Sequence, residues 1–524
     1  MKKCKIIFLT ILITFIYTGC EKDLLEQDNP NSPTVASFWQ TEGDAIKGVT
    51  GAYAGMQRIG SWKRWILWAT DLRSDEGFSK SPWTDMVNYA KFSMVDYNLE
   101  FHAVIWYDHY ITIFRANQVL DYVPAIAMDE DLKKRLLAEA KYIRAFMYYT
   151  LWNLWGNVPL VLQVQTTTDR PDYATADEVF AQIVADLQEV KEVLPVSYDD
   201  ANKGRATKGA ATALLAKTYM QKRMWTEAAA ELKAVIDLGV YDLVPNYRDN
   251  FTAENENNIE SIWEIQFSDE LRGNTENVEE PGASEGNNRA QFFAPRGVGW
   301  SDGQATTWYF EQFVKEKTVD GELDPRLDAS LVFDHHRPDP NNPSQPLDPF
   351  NPDTVFWGRG YKEWQNSPNN WGIDEQWFRK YEDEVPPSEN YHSPINVRVI
   401  RYADVLLLYA EALNELGRTA EAYPYVDQVR QRANMAQLAD IKPGMSQEEM
   451  RLQLRHERVV ELGGEEQRFF DLRRYGLLDD PAEVAQLAEN DPDFEHFVIG
   501  KTHLLPIPLT ELDINPKLKQ NPGW

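Results

Sequence analysis

Cysteine is almost missing from this 524-residue chain: there are two, Cys4 and Cys20, both within the first twenty positions. A disulfide framework, a Cys-based zinc site and a Cys nucleophile are therefore excluded for the body of the protein. No stretch after the N-terminus approaches the roughly 18 consecutive apolar residues of a membrane-crossing helix. Basic charge is in deficit: 53 Lys and Arg face 82 Asp and Glu, a net charge of −29. Nucleic acid calls for a basic footprint, so it is excluded as a partner. An anionic membrane surface is repelled for the same reason. The sequence has no His-Glu-X-X-His, no Gly-X-Ser-X-Gly and no Walker loop. His335 and His336 are adjacent, so on an extended chain they face opposite ways and make no metal site. Acid pairs such as Asp71 and Asp75, or Glu279 and Glu280, are unavoidable among 82 acids. Asp339 to Asp353 is rich in oxygen donors but lacks a calcium-loop pattern, and reads as turn chemistry. No catalytic residue, metal ligand or cofactor is assigned.

What the N-terminus does contain is a positive segment, Lys2, Lys3 and Lys5, followed by the apolar run Ile6 to Ile16, too short to span a bilayer. Tyr17-Thr18-Gly19-Cys20 then resembles a bacterial lipobox, with Tyr17 where a Leu-like residue is usual. Residues 1–19 are read as a lipoprotein signal peptide and Cys20 as the acylated first residue of the mature chain, followed by a polar leash from Glu21 to Asn31. Removing the three lysines leaves 50 basic against 82 acidic residues, a net of −32. The membrane is reached through lipid, which needs more than one acyl chain to hold firmly.

Aromatics are plentiful, with 17 Trp, 24 Tyr and 23 Phe. Helical periodicity dominates residues 34–240 and 397–475. Within these blocks Ala216, Tyr219, Ala228, Leu232 and Val235 share their offsets with Ala410, Leu413, Ala422, Val426 and Val429. A small residue, a large one three later, and an Ala opening a second helix give the register of a tetratricopeptide-like hairpin. Arg223-Met224-Trp225 and Gly417-Arg418-Thr419 supply the turns. Trp62, Trp65 and Trp68 recur at three-residue steps and predict one buried helical face, with Lys63 and Arg64 beside it as candidate contacts for an anionic sugar. Residues 241–396 lose the helical period and carry many Pro, Asn and Gly, with Trp357, Trp364, Trp371 and Trp377 among them; loops of this length are more often binding loops than linkers.

Several stretches are similar to one family. Asp28-Asn29-Pro30 through Gly51-Ala52-Tyr53, Leu72-Arg73-Ser74-Asp75-Glu76, and Glu139 to Ala145 with Gly156-Asn157-Val158-Pro159 resemble segments of SusD/RagB-like outer-membrane lipoproteins. So do Arg401 to Leu407, Glu457-Arg458, Glu461-Leu462, Glu466-Gln467-Arg468, Asp471 to Arg474, and the ending Gln520 to Trp524. The resemblance runs from Cys20 to Trp524 and implies a mainly α fold. TPR-like hairpins would form the scaffold of a single body, 20–524, with a loop-rich ligand-binding part over 241–396 and a C-terminal segment, 476–524. Arg144, Arg401, Asp404, Arg458, Glu461, Arg468, Asp471 and Arg474 are predicted to bridge packed helices as bidentate Arg–carboxylate pairs. Arg430 and Arg432 are read as solvent-face or packing residues.

The resemblance also implies a cell-surface, lipid-anchored lid on a SusC-like TonB-dependent β-barrel transporter, to which it hands glycans without transforming them. The alternatives are capture of peptides or another nutrient by the same mechanism and, behind that, a surface glycoside hydrolase. Sugar binding needs flat apolar faces for pyranose C–H groups and fixed polar groups for hydroxyls. Two segments, Glu76 to Tyr89 and Asn287 to Tyr309, have both. The ligand-binding residues expected there are Trp83, Asn88, Tyr89, Arg296, Trp300, Gln304 and Trp308, with Trp83 and Trp300 first because Gly, Ser or Pro flanks them.

Overall fold

A computed structural model describes residues 35–95, 97–166, 168–275, 282–348, 355–382 and 392–524. The signal-like segment, Cys20, the leash, Glu279, Glu280 and part of 339–353 lie outside them.

Helices dominate. Glu42–Gly55, Glu100–Tyr122, Glu130–Trp155 and Ala176–Val190 pack side by side and run on into two hairpins. Thr41, Thr175 and Ser446 open three of the helices through reciprocal capping boxes. The hairpins are Lys208–Gln221 with Trp225–Asp237, and Tyr402–Glu415 with Thr419–Arg432. They are the two units read from the repeated offsets, and all ten residues of the register are buried. The turns are equivalent: Gly417 takes a left-handed conformation (φ 74°) where the first hairpin uses Arg223 (φ 54°). Arg223 is held there by donating from Nε to the Arg474 carbonyl at 2.6 Å. Strands among the described residues occur only as short antiparallel pairs, and the two that join the segments farthest apart in sequence are Gly77–Ser79 with Gly303–Ala305, and Ser261–Ile265 with Val397–Arg401. No described helix is long and apolar enough to cross a membrane.

Buried ion pairs cross-link the scaffold as the charged motifs predicted. Arg144 reaches Asp186 with two bonds of 2.9 Å and Asn117 with a third of 3.0 Å, joining three helices. Arg458 grips Asp471 at 2.7 and 3.1 Å and Asp404 at 2.7 Å, while Lys217 bonds the other Asp404 oxygen, so four helices meet on two carboxylates. Burial raises the Asp404 carboxyl, but Lys217 and Arg458 outweigh it and hold the group below the ordinary range. Arg401 closes the last strand rather than sitting on a helix. It binds Glu465 at 2.7 and 2.8 Å, Glu461 at 3.0 Å, and Glu260. Of the two readings left open for Arg430 and Arg432, packing holds and neither is on a solvent face. Arg430 joins Glu457 to Glu316, and Arg432 joins Glu260 to Glu461, because the acids of Gln447–Leu462 point inward at them. Against its own burial, Glu461 is brought down to about 2 by Arg432, Arg401 and Arg326.

The four loop tryptophans form a core of their own. Trp364, Trp371 and Trp377 are buried, and Trp357 packs against them, in a satellite core with Val332 and Phe356. Trp364 and Trp371 stack at 4.9 Å and Trp371 tilts onto Trp377 at 5.0 Å. His335 is also structural: it is buried, stacks on Phe333 at 4.3 Å and lies 3.0 Å from an Asp328 oxygen.

One further joint ties the chain's ends together. Arg468 opens the helix Arg468–Tyr475 and binds Asp75 through Nε at 2.7 Å and Nη2 at 2.8 Å, with both residues buried. Arg468→Ala leaves a buried carboxylate uncompensated and should cost about 3–5 kcal/mol of unfolding free energy in a denaturant titration. Next to this joint, burial, with Asp75 adding and Arg468 opposing, pushes Glu76 up to about 8 from 4.5. A carboxyl raised on folding keeps a proton that the unfolded chain releases, so its contribution is complete below the unfolded value and fades as pH climbs toward 8. Glu76→Gln should therefore match wild type near pH 5 and exceed it at pH 8 by on the order of 1–3 kcal/mol, read by melting curves across that range.

Candidate functional site

The pairing of Gly77–Ser79 with Gly303–Ala305 builds the site. Phe78 lies opposite Gln304 and Ser79 opposite Gly303, and the Asp302 carbonyl accepts from Ser79 Oγ at 2.8 Å and Lys80 N at 3.1 Å. At the other end of the ladder Thr306 donates from its amide to Glu76 O at 2.9 Å and from Oγ1 to Asp75 O at 2.6 Å. The chain leaving one strand and the chain entering the other must then diverge from the same point, each carrying a tryptophan.

On the first arm, Ser81 Oγ accepts from Trp83 N at 3.1 Å, and Trp83 stands at the N-cap of the helix Thr84–Ala90. Its ring rests edge-on against Phe101 (5.7 Å) and Trp65 (6.4 Å). On the second arm, Trp300, Ser301 and Asp302 run along the short helix Arg289–Phe293. Their amides donate to Gln291 O (2.7 Å), Ala294 O (3.1 Å) and Phe292 O (2.7 Å). Ser301 adopts φ 59° and its Oγ accepts from Trp377 Nε1 at 2.7 Å and Gln304 Nε2 at 2.9 Å. A Cβ on Gly299 would come within 2.6 Å of the Ala290 carbonyl, so this turn tolerates no side chain. The Trp300 ring meets Phe292 edge-on at 5.0 Å, and Phe292 meets Trp65 at 5.4 Å. A continuous aromatic wall thus runs Trp83, Trp65, Phe292, Trp300.

These groups line a cleft of about 680 Å³, within the size range of small-molecule sites. Two other pockets, about 380 Å³ beside Tyr53 and Arg205 and about 310 Å³ beside Arg248 and Arg379, are smaller and have no tryptophan in their walls. All 17 tryptophans fall in the described residues, and only two are exposed: Trp83 at 38% and Trp300 at 53%. Both are in this cleft.

Of the seven residues expected from sequence, three line the cleft: Trp83, Trp300 and Arg296. Arg296 is already occupied, giving two hydrogen bonds to Glu375 (2.8 and 2.5 Å) and others to the Asn369 and Asn370 carbonyls. The other four are not among the cleft-lining residues. Tyr89 is on the buried face of Thr84–Ala90, edge-on to Phe101 at 4.7 Å. Asn88 is half-buried and accepts from Ser93 Oγ through its side chain at 3.2 Å. Gln304 is on the buried strand, bonded to Ser301. Trp308 starts the helix Thr307–Val314 under the Arg468 guanidinium, 5.2 Å from the ring centre. Trp62, Trp65 and Trp68 are buried as predicted, but on a five-residue π turn with a kink at Ser61 followed by a short helix, not on one continuous helix. Lys63 is buried, donating to Ser284 O at 2.8 Å, and does not line the cleft. Arg64 does line it; it donates to Asn288 Oδ1 at 2.9 and 3.2 Å and lies over the Trp65 and Phe292 rings. Ser81, Met86 and Glu100 complete the cleft without having been singled out. The wall from Arg64 to Glu100 belongs to the helical block and the wall from Phe292 to Asp302 to the loop-rich part, so the cleft straddles the two.

Residues 259–524 match the model of the SusD family. The chain belongs to the SusD family. Residues 47–220 match a second model, described as starch-binding, associating with outer membrane. A SusD-like protein of Formosa agariphila is 29% identical over 99% of this chain and 98% of its own. The starch-binding protein SusD of Bacteroides thetaiotaomicron is 28% identical over a segment covering 29% of this chain and 28% of its own. Among solved structures, a SusD superfamily protein from Bacteroides vulgatus superposes with a TM-score of 0.78 at 25% identity, covering 93% of this chain and 100% of that one. A laminarin-binding SusD-like protein gives 0.73 at 27% identity over the same shares.

The turn that presents Trp300 is testable without a ligand. Gly299→Ala should lower unfolding free energy by about 1–3 kcal/mol and shift the fluorescence of the exposed tryptophan; Ser301→Gly relieves the positive φ but leaves the buried Trp377 and Gln304 donors without their acceptor, and should also cost about 1–3 kcal/mol.

Proposed function

We propose that this SusD-family chain captures a glycan at the cell surface, in the cleft between Trp83 and Trp300, and passes it on chemically unchanged. One observation carries the reading: of 17 tryptophans, the two left exposed share one cleft and are joined by an aromatic wall. Exposing an indole to water forfeits the stabilisation of burying it, and an aromatic pair held open on a rigid frame matches the C–H faces of pyranose rings. The names of similar proteins, one starch-binding and one laminarin-binding, point the same way. An aromatic wall also favours a sugar over a peptide, whose backbone calls for a row of polar partners.

In this reading Cys20 carries the lipid that tethers the body to the outer membrane, and a SusC-like TonB-dependent β-barrel receives the captured ligand. The test is a glycan array probed with the body beginning after Cys20, followed by titration of the highest-scoring oligosaccharide. Trp83→Ala and Trp300→Ala should each weaken binding about tenfold or more, on the order of 1.4 kcal/mol, with melting temperatures near wild type because both rings are exposed. Two variants that bind every glycan as tightly as wild type would remove the site, and hydrolysis of a glycan by the purified protein would remove the non-catalytic reading. Cys20→Ala should abolish incorporation of labelled fatty acid.

A further inference from the structure

The aromatic wall accounts for grip and not for selectivity. Two polar atoms of cleft-lining residues are buried and make no hydrogen bond among the described residues: the indole Nε1 of Trp65 and the Oδ1 oxygen of Asp302, whose carboxyl group otherwise interacts with the Ser81 hydroxyl. Trp65 is 2% and Asp302 4% exposed. Leaving such groups unpaired costs about 1–3 kcal/mol each, more for a charged one. The Asp302 backbone gives its side chain little freedom to escape, since its amide is held by Phe292 O and its carbonyl by Ser79 and Lys80. One atom is a donor and the other an acceptor, which is what a hydroxylated ring satisfies and an aliphatic ligand does not.

The cleft's charges narrow the class further. Arg296 is matched by Glu375. Arg64 is held by two hydrogen bonds to the neutral Asn288 and by two rings and keeps its charge, so Arg64 and Arg296 face Glu375, Asp302 and Glu100, two cations against three acids. On the acidic side are Asp302 and the exposed Glu100. Building on the capture reading above, we propose that Asp302 and Trp65 form a polar floor that selects neutral sugars: Asp302 accepts from a ring hydroxyl, Trp65 donates to a sugar oxygen, and the acids turn away uronates and sulfated sugars. This replaces the anionic-sugar reading of Lys63 and Arg64.

The experiment is calorimetric titration of wild type, Asp302→Ala, Asp302→Asn and Trp65→Phe with neutral hexasaccharides of glucose, mannose, xylose and galactose, and with galacturonate and sulfated-galactose oligosaccharides of the same length. Wild type should bind at least one neutral member at least tenfold more tightly than any charged one. Asp302→Ala should lose tenfold or more on that member. Asp302→Asn, whose amide oxygen still accepts, should lose less, and Trp65→Phe a few fold. Asp302→Ala should melt at or above the wild-type temperature, whereas a residue needed only for folding would lower it. Preference for a charged oligosaccharide, or Asp302→Ala binding the neutral one at full strength, overturns the floor while leaving capture intact. A wild type that binds no oligosaccharide on the panel or on the array overturns capture itself, and the floor with it.

Discussion

The site hangs on the bidentate bond between Arg468 and Asp75, residues 393 positions apart. Two parallel N–H···O bonds fix a carboxylate in position and in orientation, which a single charge contact does not. Here they fix the turn that ends at Glu76, and the strand Gly77–Ser79 leaves from that turn in a set direction. Its partner Gly303–Ala305 follows, because Thr306 is bonded to Asp75 O and Glu76 O. From the far end of this three-residue ladder the Trp83 and Trp300 arms emerge. On its other side, the helix that Arg468 begins carries Asp471, which Arg458 joins to Asp404 and so to the repeat hairpins. A charge pair in the scaffold and the spacing of two exposed rings are thus parts of one mechanical path.

The choice of ions for these joints has a physical consequence. Desolvating Arg and Asp is expensive, and an apolar contact of similar volume is often as stabilising. What the ion pair adds is intolerance of wrong geometry: a shifted helix leaves a buried charge unpaired. In a body with 43% hydrophobic residues and many interchangeable Ala and Leu contacts, such intolerance is a way to keep helices in register. The buried guanidinium groups of Arg401, Arg430, Arg432, Arg458 and Arg474 mark the places where strand and helices would otherwise slide.

The scaffold was legible in the sequence because its signals are local or repeated. The shared offsets at Ala216 and Ala410 marked both hairpins, and the charged motifs marked the cross-links. Arg430 and Arg432 stayed undecided between solvent face and packing because their partners Glu457, Glu260 and Glu461 lie on other elements, and periodicity within one helix cannot see them. The site was half legible. Trp83 and Trp300 stood out because Pro, Ser or Gly beside an indole leaves no regular element to bury it. Tyr89 and Gln304 did not separate from them, since a seven-residue helix and a three-residue strand are too short to show a period. The burial of Trp364, Trp371 and Trp377 was not legible, because a satellite core assembled from irregular chain has no periodic signature at all. Asp302 lay inside the segment Asn287 to Tyr309 without being singled out, because the lack of a partner is a property of three-dimensional surroundings.

The most direct measurement is a crystal structure of the body beginning after Cys20, grown with the oligosaccharide that binds most tightly. The account predicts a sugar ring against the Trp83–Trp65–Phe292–Trp300 wall, with Asp302 Oδ1 within hydrogen-bond distance of a hydroxyl and the Gly77–Ser79 ladder unmoved. Sugar bound elsewhere on the molecule, with Trp83 and Trp300 bare, would contradict it.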